Sequence, residues 1–165
     1  MTKPLLISDF HSKRGQLPHI EDPGATYFVT MCLIRPAPLD LTQAKIGQII
    51  LGALRHYDRM RYYLFDYTIM PDHTHMILKP ISTGRAAYHL QRILQDLKRW
   101  TARQINATVG RRGEVWQVEG FDHIVRNRED YEEKAHYIFW NPQKAGLTDE
   151  PALWPWWGRG SGAHL

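Results

Sequence analysis

The chain has 165 residues, of which 43% are hydrophobic and 23% are charged, proportions that fit a folded globular domain. No apolar run approaches the ~18 residues of a membrane span, and the first residues lack the pattern of a secretory signal, so we expect a cytoplasmic protein without a membrane partner. Cys32 is the only cysteine, which excludes an intramolecular disulfide and a thiolate zinc cage, and the net charge of +4 favours a polyanionic partner.

The secondary-structure elements follow from hydrophobic periodicity and from the Pro and Gly residues between them. Residues 1–24 contain three prolines and little periodicity, which predicts an irregular N-terminal arm. The elements predicted after it are a strand at 25–34, a helix at 42–59, strands at 61–70 and 73–79, a helix at 83–106, a short extended piece at 114–118, and a helix from 128 to 140 or 141. Asn127, with Asp130 three residues later, resembles an N-cap at the start of the last helix, and Pro142 is expected to end that helix.

This order of elements predicts an α+β fold. Antiparallel hairpins combined with helices on one face suggest a ferredoxin-like antiparallel sheet with helices packed on it. We expect residues 25–148 to form the folded domain and residues 149–165, which are rich in Pro, Trp and Gly, to form a C-terminal tail.

The strand at 73–79 begins with a His-Thr-His sequence. His73 and His75 are two residues apart, so on a strand they point to the same face, about 6.6 Å apart along the chain. Two imidazoles this close can chelate one divalent cation. An isolated pair of this kind is more often two polar residues on a solvated face, so the prediction of a metal site depends on a third ligand and a reacting group.

The last predicted helix supplies a candidate third ligand and a candidate reacting group. Tyr137 and Asn141 are four residues apart and share one helix face, which the helical spacing directs away from the predicted apolar stripe. That stripe consists of Tyr131, Ala135, Ile138 and Phe139. A phenol is a nucleophile for phosphorus when an adjacent cation draws charge from the phosphate, and an amide oxygen is a metal ligand. Rival third ligands are Glu133, Asp130, His123 and His136.

Basic and aromatic residues of the helix predicted at 83–106, of the last helix and of the segment between them are the candidates for contact with single-stranded DNA. Lys134 lies one turn before Tyr137, where it would favour the phenolate or hold the phosphate. The other candidates are Lys98, Arg99, Arg103, Arg111, Arg112, Trp116 and Arg126.

Seven motifs occur in order along the chain, and together they resemble one known family. They are residues 27–30 (YFVT), 70–77 (MPDHTHMI), 97–106 (LKRWTARQIN), 115–117 (VWQ), 121–127 (FDHIVRN), 137–147 (YIFWNPQKAGL) and 154–156 (WPW). The sequence from about residue 25 to 157 resembles the REP-associated tyrosine transposases of bacteria, relatives of the HUH single-tyrosine transposases. One departure is Thr74, where a bulkier apolar residue is more usual.

The resemblance implies a fold, a reaction and a set of site residues. It implies a ferredoxin-like catalytic domain in which His73, His75 and Asn141 hold Mg²⁺ or Mn²⁺ and Tyr137 is the nucleophile. The reaction implied is cleavage and joining of single-stranded DNA beside REP hairpins through a 5′-phosphotyrosine. A monomer is expected, although related transposases act as dimers.

Two other functions fit parts of the same sequence. A nucleic-acid-binding ferredoxin-like module would bind without a metal and without cleavage. A hydrolytic metallonuclease would use metal-bound water as the nucleophile and would form no covalent adduct with DNA.

Overall fold

The computed structural model describes residues 22, 24–83 and 86–164, so nearly all of the predicted N-terminal arm lies outside the described residues. Three α-helices and seven β-strands follow one another within this part of the chain. They are β1 (Thr26–Cys32), α1 (Ala44–Tyr57), β2 (Tyr62–Ile69), β3 (His73–Pro80), β4 (Ser82–Thr83), β5 (Ala86–Ala87), α2 (Leu90–Val109), β6 (Phe121–Val125), α3 (Arg128–Lys144) and β7 (Trp157–Arg159). The predicted α+β class is confirmed.

Five strands form one antiparallel sheet in the order β6-β1-β3-β2-β7. The central strand β3 pairs with β1 and β2 along most of its length, so that His75 lies opposite Thr30 on one side and Thr68 on the other. Because directly opposite residues point to the same face, this row places a threonine on either side of the imidazole.

Helices cover both faces of the sheet. Helices α1 and α2 pack on one face over a large apolar core that includes Met76 and Leu78 of β3. Helix α3 packs on the other face over a smaller cluster that includes Ile77 of the same strand. The prediction of helices on one face is therefore wrong, because β3 is buried on both sides and its sequence cannot reveal which side carries which helix.

Helix α2 begins later than its sequence periodicity predicts. Residues 82–83 pair with residues 86–87 in a two-stranded ladder, so the helix begins at Leu90 and not at residue 83. It ends at Val109 because Gly110 adopts a left-handed conformation with φ of 68°, a common helix terminator.

Helix α3 has the N-cap that its sequence predicts. Asn127 Oδ1 accepts a hydrogen bond of 2.9 Å from the backbone N–H of Asp130, and Asp130 Oδ2 accepts one of 3.0 Å from the N–H of Arg126. The predicted end at residue 140 or 141 is wrong, since the helix continues through Pro142 to Lys144. A proline removes only one backbone donor, and the last turn is closed by a 3.0 Å hydrogen bond from the N–H of Ala145 to the carbonyl of Asn141.

Both edges of the sheet are strands that the sequence did not predict. Strand β6 follows the extended piece predicted at 114–118, where Trp116 forms an isolated bridge with Leu33. Strand β7 pairs with β2, and Gly158 lies so close to the Tyr67 ring that a Cβ would overlap it. The predicted tail at 149–165 thus supplies an edge strand. Within the described part of the chain, the helices fall short of the length and apolar character that a membrane span requires.

Candidate active site

His73 and His75 lie at the start of β3, on the face that α3 covers. They are 6% and 5% exposed, and their ring centroids are 4.6 Å apart. The prediction that the two rings share a face is supported. Both rings are buried, whereas the alternative interpretation places them on a solvated face. The sheet therefore holds two imidazoles side by side in a protected site.

The Nδ1 atom of each imidazole is held by a hydrogen bond. His73 Nδ1 lies 2.7 Å from Asp72 Oδ1, and His75 Nδ1 lies 2.8 Å from Thr30 Oγ1. The Nε2 atoms of both rings are buried and lack a hydrogen-bond partner within the described part of the chain. Orphaned buried nitrogens are costly, and Nδ1 contacts of this kind are what orients metal-binding histidines. Two such Nε2 atoms fit a divalent cation.

Burial and the neighbouring His73 favour the neutral form of the His75 imidazole. Burial lowers the pKa of His75 well below its ordinary value, and the neighbouring His73 lowers it further. The hydrogen bond with His73 lowers the pKa of Asp72 to about 2. Burial therefore keeps His75 neutral at neutral pH, and the neutral form of histidine is the one that binds metals.

Tyr137 points into this site. It is 7% exposed, and its ring centroid lies 5.2 Å from that of His75 and 6.1 Å from that of Phe28. The prediction that Tyr137 turns away from the buried side of the helix is therefore wrong. The buried sector of α3 includes Tyr137 and Asn141, and because it carries polar groups, a stripe drawn through apolar residues alone cannot locate it.

Asn141 lies one turn after Tyr137 on the same helix face, as their spacing predicts, and it is buried as well. Burial raises the pKa of the Tyr137 phenol, and a hydrogen bond with the Asn141 side chain acts in the opposite direction. The phenol is therefore protonated at rest. Among the described residues, no group of three His, Cys, Asp or Glu side chains is arranged to hold a metal.

Two cavities meet beside these groups. The smaller, of about 200 Å³, is lined by Phe28, Thr30, Cys32, Arg35, His73, His75, Gln117, Phe121, His123 and Tyr137. A larger cleft of about 460 Å³ shares Phe28 and His123 with it and is lined by Arg126 and Lys134. These two predicted DNA contacts thus line a groove that continues from the candidate site.

Two carboxylates of α3 lie close to the ammonium group of Lys134. Its Nζ lies 3.5 Å from Asp130 Oδ1 and 3.4 Å from Glu133 Oε1. The Nζ of Lys144, in the last turn of α3, lies 6.0 Å from the centroid of the Tyr137 ring. Lys144 is therefore a cation beside the phenol that the sequence did not indicate.

The remaining predicted DNA contacts are not brought to the cavities. Arg99 and Arg103 are exposed on α2, which packs on the opposite face of the sheet, and the loop after α2 carries Arg111 and Arg112. Trp116 is a core residue, and its Nε1 donates a 2.9 Å hydrogen bond to Thr101 Oγ1. The prediction that Trp116 stacks on a base is therefore wrong.

Lys98 also has a structural role. Its Nζ donates to the backbone carbonyls of Gln117 at 2.9 Å and Val118 at 3.1 Å, and burial lowers its pKa. These hydrogen bonds connect α2 to the segment that leads into β6.

Thr30, Arg35 and Asp72 contribute to the site but were not identified from the sequence. Asp72 directly precedes His73, and this adjacency was the one available signal. Thr30 is revealed only by the strand register, because nothing in the local sequence shows which β1 residue lies opposite His75.

Comparison with known proteins gives one consistent family. No family model matches the chain. A putative REP-associated tyrosine transposase of Haemophilus influenzae is 27% identical over 144 residues, covering 81% of this chain and 78% of that protein. A REP-associated tyrosine transposase of Escherichia coli is 28% identical over 136 residues, covering 80% and 74%.

A solved structure shows the same fold. The structure of a REP-associated tyrosine transposase bound to a REP hairpin matches with a TM-score of 0.70 and 23% identity, covering 87% of this chain and 81% of that one. The resemblance of this chain to the REP-associated tyrosine transposases, which the seven ordered motifs indicate, is thereby confirmed.

Proposed function

We propose that this protein is a transposase-like enzyme that cleaves and rejoins single-stranded DNA beside REP-like hairpins through a 5′-phosphotyrosine at Tyr137. The observation that carries the proposal is the shared cavity, in which the Tyr137 ring lies 5.2 Å from His75, whose buried Nε2 lacks a partner among the described residues. The names of the relatives support the same reaction class and the hairpin substrate.

The bond changes are those of a phosphoryl transfer. The Tyr137 oxygen attacks the phosphorus, a phosphotyrosine bond forms, and the bond from phosphorus to the upstream 3′ oxygen breaks. The phenol releases its proton to water in the cavity, and water returns a proton to the departing 3′ oxygen. Because one phosphodiester replaces another, a different 3′-hydroxyl can reverse the step without an external energy source.

The residues fit Mg²⁺ or Mn²⁺, which His73, His75 and Asn141 would hold. When bound, such an ion supplies Lewis-acid stabilisation of the charge that develops on the phosphate. Asp72 and Thr30 keep the imidazoles oriented through Nδ1. Helix α3 holds the phenol and the amide on one buried face, which fixes the nucleophile before DNA enters.

The test is formation of a covalent protein–DNA adduct. A labelled stem-loop oligonucleotide with single-stranded flanks is incubated with the protein and Mn²⁺, and the mixture is resolved under denaturing conditions. We expect an adduct that disappears in Tyr137→Phe. Tyr131→Phe is the matched control, because Tyr131 lies on the same helix and its hydroxyl donates a hydrogen bond to Asp66. We expect this variant to retain the adduct.

The same assay separates the two alternative functions. Cleavage that persists in Tyr137→Phe without an adduct would identify metal-activated water as the nucleophile, as in a hydrolytic nuclease. Binding without any cleavage, unchanged in His73→Ala, would identify a binding module.

A further inference from the structure

One carboxylate links a candidate metal ligand to an exposed arginine. Asp72 Oδ1 lies 2.7 Å from His73 Nδ1, and Asp72 Oδ2 lies 2.9 Å from Nη2 of Arg35. The two oxygens of Asp72 are thus divided between a buried imidazole and a surface guanidinium. The position of Arg35 is in this way tied to the position of His73.

Arg35 combines exposure with proximity to the site. Its side chain is 67% exposed, yet the residue lines the same cavity as His73, His75 and Tyr137. A guanidinium carries five N–H donors and pairs readily with phosphate oxygens. The ion pair with Asp72 engages Nη2, so one carboxylate does not exhaust the donors of Arg35.

We infer that Arg35 binds a backbone phosphate of the DNA strand at the mouth of this cavity, beside the candidate metal ligand His73. This inference rests on the proposed function and names a substrate-binding residue for it. The contact is to phosphate and carries no sequence information. A strand that reaches Tyr137 must approach this cavity, and the geometry gives its backbone a cation at the entrance.

The position of Arg35 differs from that of the other cations near the site. Arg126 and Lys134 line the larger cleft, and Lys134 lies within 4 Å of two carboxylates. Arg35 lies beside Asp72 and His73, at the smaller cavity. It therefore supplies positive charge on the metal-ligand side, and Arg126 supplies it on the side of α3.

The first experiment measures DNA affinity without metal or cleavage. Full-length Tyr137→Phe protein is titrated against a labelled stem-loop with single-stranded flanks in EDTA, over a series of salt concentrations. We expect Arg35→Gln in this background to weaken binding about tenfold and to reduce the slope of log affinity against log salt by about 1, because one phosphate contact is lost. Arg35→Lys should restore part of the affinity.

The matched control is Arg92→Gln. Arg92 is also an exposed arginine paired with an aspartate, with a side chain 66% exposed and Nε 3.4 Å from Asp96 Oδ2, but it lies on α2, on the opposite face of the sheet. The two variants change the net charge equally. An equal loss of affinity in both would assign the effect to net charge and overturn the inference.

The second experiment measures Mn²⁺ affinity without DNA by titration calorimetry. Asp72→Ala should weaken Mn²⁺ binding by about 10- to 100-fold, because His73 loses its orienting partner. The affinity of this variant for the stem-loop in EDTA should be unchanged or higher. Arg35→Gln should change Mn²⁺ affinity less than about threefold, since the Asp72–His73 contact remains.

The outcomes separate this inference from the proposed function. Normal stem-loop affinity in Arg35→Gln, with Mn²⁺ affinity reduced as in Asp72→Ala, would make Arg35 a support of the metal site and overturn the inference alone. If the parent protein binds neither Mn²⁺ nor the stem-loop, the proposed function itself fails.

Discussion

The two faces of the sheet differ in the polarity of their buried side chains. The face under α1 and α2 is a large apolar core whose members are almost all hydrophobic. Among the described residues, the apolar cluster under α3 has four buried members, one of them Tyr137. Around them lie buried polar groups, including Thr30, Asp66, Thr68, His73, His75 and Asn141.

The difference separates stability from chemistry within one sheet. The larger apolar cluster under α1 and α2 supplies the larger part of the stabilisation from apolar burial. Within the part of the chain that the structure describes, the Nε2 atoms of His73 and His75 on the α3 face have no hydrogen-bond partner. Such buried nitrogens reduce stability, and an apolar residue would remove them. Sites that break the rules of good packing are expected where function requires them, so the polar face is where a substitution can abolish activity at little cost to stability.

The largest effect is expected from converting the polar face into an apolar one. In the double variant Thr30→Val/His75→Leu, the free energy of unfolding should stay within about 1 kcal/mol of the wild type, because both partners of a buried hydrogen bond are replaced together. Adduct formation should fall below detection, because one metal ligand is lost. Urea unfolding and the adduct assay measure the two properties on the same protein.

The single variant Thr30→Val is the control for this pair. It leaves His75 Nδ1 buried without its partner and should destabilise the protein by about 1–3 kcal/mol. A double variant less stable than this single variant would show that the polar face contributes to stability, and the contrast between the faces would be lost.

The next prediction compares two neighbouring residues of β3 that are fully buried on opposite faces. Leu78 packs on the α1/α2 side and Ile77 on the α3 side. Each change to Ala should cost about 2–5 kcal/mol. Leu78→Ala should cost more, because the smaller cluster beside the site cavity can collapse around Ile77. Equal losses in urea unfolding would contradict this order. Ile77→Ala should also reduce adduct formation, since Tyr137 shares its cluster.

Much of the fold was predictable because its main elements obey local rules. Strands β1, β2 and β3 and helix α1 follow from periodicity, and the N-cap of α3 follows from the Asn127–Asp130 spacing. The edge strands β6 and β7 were missed because they are short and partly exposed, and only their partners in the sheet make them strands. The start of α2 was misplaced because the pairing of β4 with β5 overrides helical spacing.

The sequence names the residues of the candidate site but does not give their arrangement. His73, His75, Tyr137 and Asn141 follow from spacing and from the family motifs. The inward orientation of Tyr137, the roles of Thr30 and Asp72, and the burial of Trp116 depend on which elements face one another across the sheet. That information is tertiary, and local periodicity does not contain it.

A smaller effect is expected at the start of α3, which carries the nucleophile into the polar face. Asn127→Ala removes the acceptor for the N–H of Asp130 and should lower the free energy of unfolding by about 0.5–2 kcal/mol. Tyr137 lies almost three turns later, so adduct yield at saturating Mn²⁺ should be nearly unchanged. Asn127→Asp retains an acceptor and should restore stability. A loss of adduct as large as the loss in Tyr137→Phe would contradict the independence of cap and site.

The smallest effect concerns the pH dependence of the same helix terminus. The hydrogen bond from the Arg126 N–H lowers the pKa of Asp130, so its carboxylate stabilises the folded state above its unfolded pKa of about 3.9. That stabilisation is lost as the pH falls through the lower folded pKa. Asp130→Asn should therefore be less stable than wild type by about 0.3–1 kcal/mol at neutral pH, and the difference should vanish in acid. Unfolding curves recorded from neutral pH to pH values below that pKa measure this difference. A difference that persists in acid would assign the effect to side-chain packing and not to the charge at the helix terminus.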